Sequence, residues 1–295
     1  MIKKFAAALL FAVSTAAMPV TVSTAAAAAV PLGSQSVLVV ENRTGKILLQ
    51  KNPDMVVPIA SLTKLITAMV VLDAKLDMDE KIKIDSDDVD RLKFSRSRVP
   101  VGATLSRADV LHLALMSSDN RAAASLARTF PGGPTAFQAA VNAKLRALGM
   151  DQTRIHEPTG LSPANTSTAE DLVKMATAAA GYPAIARLTT DKRDIMRIKG
   201  RQVEYHNTNR LVGAKGWNIR LSKTGYTAEA GRCLIMRIRA AGKSATMVLL
   251  NAGTSSVRIA DALKIRRMVA GRAAPKAKAR KVVRRKSAVR KKRRR

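Results

Sequence analysis

The chain holds one cysteine and three histidines in 295 residues, and each scarcity removes a class of protein. Cys233 has no partner for an internal disulfide, so the fold must stand on its core. It also sits in the apolar alternation Gly231 to Ile238, which reads as a small buried hydrophobe rather than a reactive thiol. His112, His156 and His206 lack the pair spacing of metal ligands and have no cysteine cluster beside them, so neither a metal nor a cofactor is expected. Long apolar runs are missing as well. The longest candidate, Phe5 to Val13, is short for a membrane span of about 20 residues. Acids are few: 21 Asp and Glu stand against 52 Lys and Arg, for a formal charge of +31.

That excess is uneven. Counting from Arg272 to Arg295 gives fourteen Lys and Arg and no acid. Like charges repel and do not pack, so 272–295 is expected to be a disordered polybasic tail. It has no aromatic residue on which a base could stack, and nucleic acid is not an expected partner. An anionic envelope surface suits it better, whether phospholipid headgroups or phosphorylated lipopolysaccharide. At the other end, Lys3 and Lys4, the short apolar run and the small residues through Ala25 to Ala29 form the pattern of a secretory signal. Residues 1–29 are therefore expected to be removed on export to the periplasm. That leaves 30–271 as one domain with a sizeable core.

Within it, Val37 to Val40 and Ile47 to Gln50 are β-branched and apolar runs around an Asn- and Gly-containing turn, which predicts a hairpin. Apolar residues at 62, 65, 66, 69, 70 and 72 predict a helix over Ser61 to Ala74, with Ser61 at its start. Further helices are predicted at Ser106 to Met116, Arg121 to Thr129, Pro134 to Leu148 and Ala169 to Ala180. Strands return at Ile219 to Ser222, Cys233 to Arg239 and Ala245 to Asn251, before a last helix near Val257 to Val269. Strands, helices, strands, helix is the order of an α+β fold whose early hairpin joins a later antiparallel sheet, with a helical region inserted.

Three short motifs occur in order: Ser61-Leu62-Thr63-Lys64, Ser118-Asp119-Asn120 and Lys223-Thr224-Gly225. A Ser-x-x-Lys arises by chance roughly once in a chain of this length, so alone it means little. Each of the other two is expected on the order of 0.1 times or fewer. The ordered triplet is the signal of penicillin-binding proteins and class A β-lactamases. Its chemistry can be argued from the residues. Serine needs a base to take its proton, and on a helix Lys64 shares a face with Ser61. Lys64 must spend time neutral, which burial and a nearby charge such as Lys223 would favour. A helix start turns the Ser61 amide toward a reacting carbonyl. Ser118 could relay a proton to the leaving nitrogen, and Asn120 could hold substrate and steady Lys64. Lys223 and Thr224 close an apolar strand along which an extended peptide could pair, with Gly225 leaving room. Asp119, between the two working members of its motif, can be read equally as solvent-facing.

The stretches Pro58 to Met69, Leu115 to Ala124 and Glu157 to Ser162 resemble the D-alanyl-D-alanine carboxypeptidase family. Asn207-Thr208-Asn209, Trp217-Asn218-Ile219 and Lys223-Thr224-Gly225 are similar to its endopeptidase branch, the penicillin-binding protein 7 type. The likeness runs from about Ser36 to Met268. It implies the serine β-lactamase/penicillin-binding fold, a five-stranded antiparallel sheet flanked by helices beside a helical subdomain. It also implies a serine DD-peptidase acting on peptidoglycan stem peptides, acylated on Ser61 and inhibited by β-lactam antibiotics. In the endopeptidase branch the scissile bond joins D-alanine to diaminopimelate of a neighbouring stem. By the same resemblance the Tyr226 amide is the second oxyanion donor, and Arg258 stands near the arginine that carboxypeptidases set on the terminal carboxylate. Only about 25 residues follow the last predicted helix, too few for the β-rich domain and amphipathic anchor of many carboxypeptidases, which favours the endopeptidase branch.

The nearest rival is a serine β-lactamase. Class A enzymes deacylate with a Glu-activated water on a loop that has Glu-Pro followed by Asn four positions after the Glu. Glu157-Pro158 is present, but the fourth position is Leu161, which favours a peptidase.

Overall fold

The computed structural model describes residues 30–271; the predicted signal and polybasic tail lie outside the described residues. The first strands are β1 (Ser36–Glu41), β2 (Ile47–Lys51) and the short β3 (Val57–Pro58). A 3-10 turn at Ala60–Thr63 leads into α1 (Lys64–Asp73). The helical region holds β4 (Lys81–Lys83), β5 (Thr104–Ser106), α2 (Arg107–Met116), α3 (Asn120–Arg128) and α4 (Gly133–Ala147). Then come β6 (Thr166–Ser167), α5 (Ala169–Ala179), α6 (Pro183–Leu188), β7 (Arg193–Ile198) and β8 (Arg201–His206). The chain returns to the sheet through β9 (Ile219–Thr227), β10 (Gly231–Ala240) and β11 (Lys243–Ala252), and ends in α7 (Ser255–Val269).

The main sheet is antiparallel with strand order β2-β1-β11-β10-β9, so the early hairpin joins the late strands as the element order implied. Strand alternation divides the core in two. Val37, Val39, Leu234, Met236, Met247 and Leu249 face α7 and bury against Ala262, Ile265 and Val269. Leu38, Cys233, Ile235, Val248 and Leu250 face the other way, into the larger core that includes α1 and α5. Because β10 and β11 are covered on both faces, they read as near-continuous apolar runs. Each large side chain so buried contributes about 1.5–3 kcal/mol. Residues 64–71 of α1 are all buried, so this stretch is core on every side and the one charge in it, Lys64, goes inside with it.

Three differences from the sequence reading bear on the site. Ser61 lies on the 3-10 turn rather than in the α-helix, which starts three residues later at Lys64; Ala60, just before the serine, takes a left-handed φ of 49°. The strand carrying Lys223 and Thr224 does not close there: β9 runs on to Thr227, paired with β10 through Gly231. An unforeseen hairpin, β7–β8, turns at Lys199 and Gly200, both at positive φ, as a two-residue turn requires.

Candidate active site

Ser61 and Lys64 are brought together by the tight turn. In a 3-10 helix residues i and i+3 nearly eclipse, and Lys64 Nζ lies 2.9 Å from Ser61 Oγ. The same nitrogen lies 2.6 Å from Asn120 Oδ1 and 2.6 Å from the Thr159 carbonyl oxygen. Asn120 Nδ2 donates to Ser95 Oγ at 2.8 Å, which fixes the amide with its oxygen toward the lysine. These partners decide what a neutral Lys64 would do. Asn120 Oδ1 and Thr159 O only accept, so both N–H groups of a neutral amine go to them and its lone pair is left for the Ser61 hydroxyl.

Burial lowers the Lys64 pKa from 10.5 to about 8, against the opposing charges of Glu157, Asp119 and Asp90. The expected push from Lys223 is not what depresses it. Lys223 is itself fully buried, and its pKa is held well below the usual lysine value by burial first and then by the charges of Lys64 and Arg258. Lys223 Nζ donates to Ser118 Oγ at 2.7 Å and to the Thr224 carbonyl at 3.1 Å. Ser118 holds a left-handed φ of 60°, which turns it out of line between α2 and α3. Such conformations cost about 1–3 kcal/mol, and both non-glycine examples near the serine, Ala60 and Ser118, adjoin reactive groups.

The edge strand completes the site. β9 is the last strand of the sheet, so one side of it is free of sheet pairing. A Cβ on Gly225 would lie 2.9 Å from the Ile59 carbonyl oxygen and 3.1 Å from the Ser61 nitrogen, so glycine is what lets β9 approach the serine turn. Tyr226 is the next residue along, with its ring half exposed. Ser61, Ser118, Thr224, Gly225, Tyr226 and Arg258 all line one cavity of about 430 Å³. Lys64, Asn120 and Lys223 lie behind that wall and reach it through Ser61 and Ser118. Arg258 is buried, donates to the Cys233 carbonyl at 3.0 Å and sits in the first turns of α7. A roomier concavity of about 610 Å³ shares no residue with this one, and none of the three motifs lines it.

Glu157, the residue that a lactamase reading would make a base, is fully engaged. Its carboxylate accepts from Thr159 N and Oγ1, Gly160 N, Ser162 N and Asn165 Nδ2. It organises the loop whose Thr159 carbonyl meets Lys64. Asp119 does not face solvent: it caps α3 through Ala122 N at 3.0 Å and accepts from Ser97 Oγ. Cys233 is buried and its thiol is pushed up to about 11 by burial, as an inert core residue should be. Among the described residues no cluster of ligating side chains could hold a metal.

Sequence reasoning missed Ser95 and Thr208. Ser95 lies on a loop without periodicity, and nothing in the sequence marks it. Thr208, whose hydroxyl meets that of Thr224 at 2.6 Å, stands in Asn207-Thr208-Asn209, so its motif was visible but its contact was not.

A serine bonded to a buried lysine whose other contacts free its lone pair, beside an open strand edge, defines an active-site-serine hydrolase. The chain belongs to the D-alanyl-D-alanine carboxypeptidase family, whose sequence pattern matches residues 21–254. It is thus a serine-type D-alanyl-D-alanine peptidase. It is 49% identical to a D-alanyl-D-alanine endopeptidase of Pseudomonas aeruginosa over 80% of this chain and 77% of the relative. It is 45% identical to that of Escherichia coli over 89% and 86%. Among solved structures, a Streptomyces DD-transpeptidase matches with a TM-score of 0.76 and 25% identity, over 82% of this chain and 98% of its own. A Listeria monocytogenes penicillin-binding protein in its cefotaxime-bound form matches with a TM-score of 0.69 and 29% identity, over 81% and 98%.

Proposed function

We propose that this peptidase is chiefly a DD-endopeptidase, cutting the bond between D-alanine and the diaminopimelate of a neighbouring peptidoglycan stem. Neutral Lys64 takes the proton of Ser61 as Oγ attacks the D-alanyl carbonyl. The Ser61 and Tyr226 amides hold the oxyanion. As the C–N bond breaks, the proton taken from Ser61 passes by way of Ser118 to the leaving nitrogen. Water then attacks the ester, gives a proton to Lys64, and Ser61 regains its own. The edge of β9 holds the donor stem, while Asn120 steadies Lys64 from behind the wall; Thr224 and Arg258 face the carboxylate beside the scissile nitrogen, and Lys223 supports Ser118 and the Thr224 carbonyl from behind. A β-lactam would acylate Ser61 by the same route.

The observation that carries the site reading is the set of three contacts at Lys64 Nζ. The endopeptidase preference rests on the relatives: those named endopeptidases in Pseudomonas and Escherichia share 49% and 45% identity, whereas the carboxypeptidase DacF of Bacillus subtilis shares 28%. Purified protein incubated with cross-linked muropeptide dimers and with pentapeptide monomers, products read by mass, tests it. Dimers left intact while monomers lose alanine would reject the preference. Ser61→Ala, folded, should lose labelled-penicillin binding.

The reading includes export to the periplasm by 1–29 and attachment of the enzyme to anionic envelope surfaces by 272–295. Deleting Ala273 to Arg295 should weaken envelope partitioning at low salt, because about 1 kcal/mol per basic residue near a charged membrane is lost. Unchanged partitioning rejects that role.

A further inference from the structure

The cavity beside Ser61 carries two arginines, Arg210 and Arg232, that the reaction above leaves unused. Beyond Thr208 and Thr224 its wall carries Arg210, Arg232 and Arg258, and no aspartate or glutamate lines it. Arginine ion pairs among the described residues are made elsewhere, by Arg107, Arg128 and Arg193. Arg258 is tied to the Cys233 carbonyl at the inner end. Arg232 stands opposite Tyr226 in the β9–β10 register, and its guanidinium stacks 3.4 Å from the centre of that ring, which holds the cation at the rim. Arg210 is exposed two residues beyond Thr208. The N-terminus of α7, fifteen residues long, adds its positive end through Ser255. Single surface arginines are ordinary. Three converging on one walled cavity, without a carboxylate between them, repel one another until an anion enters.

We propose that Arg210 and Arg232 form a second carboxylate subsite, which binds an acidic peptide on the leaving side of the scissile bond. Released D-alanine carries one carboxylate, beside the scissile nitrogen, and Thr224 and Arg258 suffice for it. A leaving stem peptide carries further carboxylates that D-alanine lacks. The two rim arginines therefore discriminate a cross-link from a terminal D-alanine, and the inference rests on the endopeptidase reading. Planar guanidiniums suit this task because they meet carboxylates in bidentate fashion.

The test compares wild type with Arg210→Gln/Arg232→Gln on two substrates and one inhibitor. kcat and KM are measured on muropeptide dimers and pentapeptide monomers. Separately, the free acidic tripeptide stem competes with labelled penicillin for Ser61. The dimer-over-monomer ratio of kcat/KM should fall at least about tenfold, mainly through KM, and the tripeptide inhibition constant should rise by a similar factor. Wild-type inhibition should weaken with added salt. An unchanged ratio with an unchanged inhibition constant overturns the subsite. If wild type leaves dimers intact, the endopeptidase reading fails and the tripeptide competition alone decides the subsite. If the double variant loses its cooperative melt, exposed Arg210→Gln decides, with Arg210→Lys expected to retain part of the effect.

Discussion

Lys64 Nζ lies 2.6 Å from the carbonyl oxygen of Thr159, ninety-five positions along the chain. That contact ties the lysine to a loop built around Glu157, the largest of the charges that oppose the lowering of its pKa by burial. It also separates what the loop does here from what a Glu-Pro loop does in a class A β-lactamase, where the glutamate activates water. With five donors on its carboxylate, Glu157 is a fastener.

Acylation should follow the neutral fraction of Lys64. A base works deprotonated, so the rate rises with pH and levels off above about 8, the value to which burial lowers this group. Below that point it should fall roughly tenfold per pH unit. Labelled-penicillin acylation rates from pH 5.5 to 9.5 check this. A flat profile across 7 to 8.5 would remove Lys64 as the base.

Glu157→Gln should both slow acylation and shift its profile. The amide nitrogen would face N–H groups it cannot accept from, at a cost of about 1.5–3 kcal/mol for the lost charge-assisted bonds. Glu157 is also the largest opposing charge on Lys64, so removing it lowers the lysine pKa further. Slower acylation with the inflection moved to lower pH is the expected pair. Slower acylation with the inflection moved up would contradict the electrostatic part.

Gly160→Ala should disable the serine while leaving the motifs intact. Gly160 has a φ of 86°, and a Cβ there would fall 2.0 Å from the Ala60 carbonyl oxygen and 2.7 Å from the Ser61 nitrogen. Both are backbone atoms of the nucleophile's turn, so the turn must move. A displacement near 1 Å costs about a hundredfold in rate. Acylation kinetics with circular dichroism as a folding control measure it, and a folded variant with wild-type acylation would refute the close-packing argument.

The sheet and its helices are legible in the sequence because their signals are local: alternation in β1, β10 and β11, and helical spacing in α1 through α5. The ordered triplet groups Ser61, Lys64, Ser118, Asn120, Lys223 and Thr224 into one site by residue type and order alone. The rest is set by tertiary context. The chain enters the 3-10 turn at Ser61 through a strained φ at Ala60, which propensity does not encode. Asp119 reads either way in its motif, and only the Ala122 amide and the Ser97 hydroxyl around it fix its role as a cap. Burial is the larger of the two causes expected for Lys64, while Lys223, the charge expected to help, is itself depressed, because which charges face a buried group is set by the fold and not by the sequence.

Lys64→Met should show that the site is held against stability. Burying this ammonium lowers its pKa from 10.5 to about 8, a gap worth about 3 kcal/mol against the folded state while the group stays charged. The sign follows from proton counts. Below 8 the lysine is protonated in both states and the penalty is complete. Between 8 and 10.5 only the unfolded chain holds the proton, so wild-type stability rises with pH until the penalty is gone. Methionine carries no charge and skips this cycle, although the Thr159 carbonyl and Asn120 Oδ1 lose a donor and return part of the gain. Denaturant melts of both proteins should therefore differ most at pH 7, with Lys64→Met the more favoured, and converge toward pH 10. A variant less stable than wild type by the same margin at every pH would mean that the three contacts of Lys64 outweigh the cost of burying it.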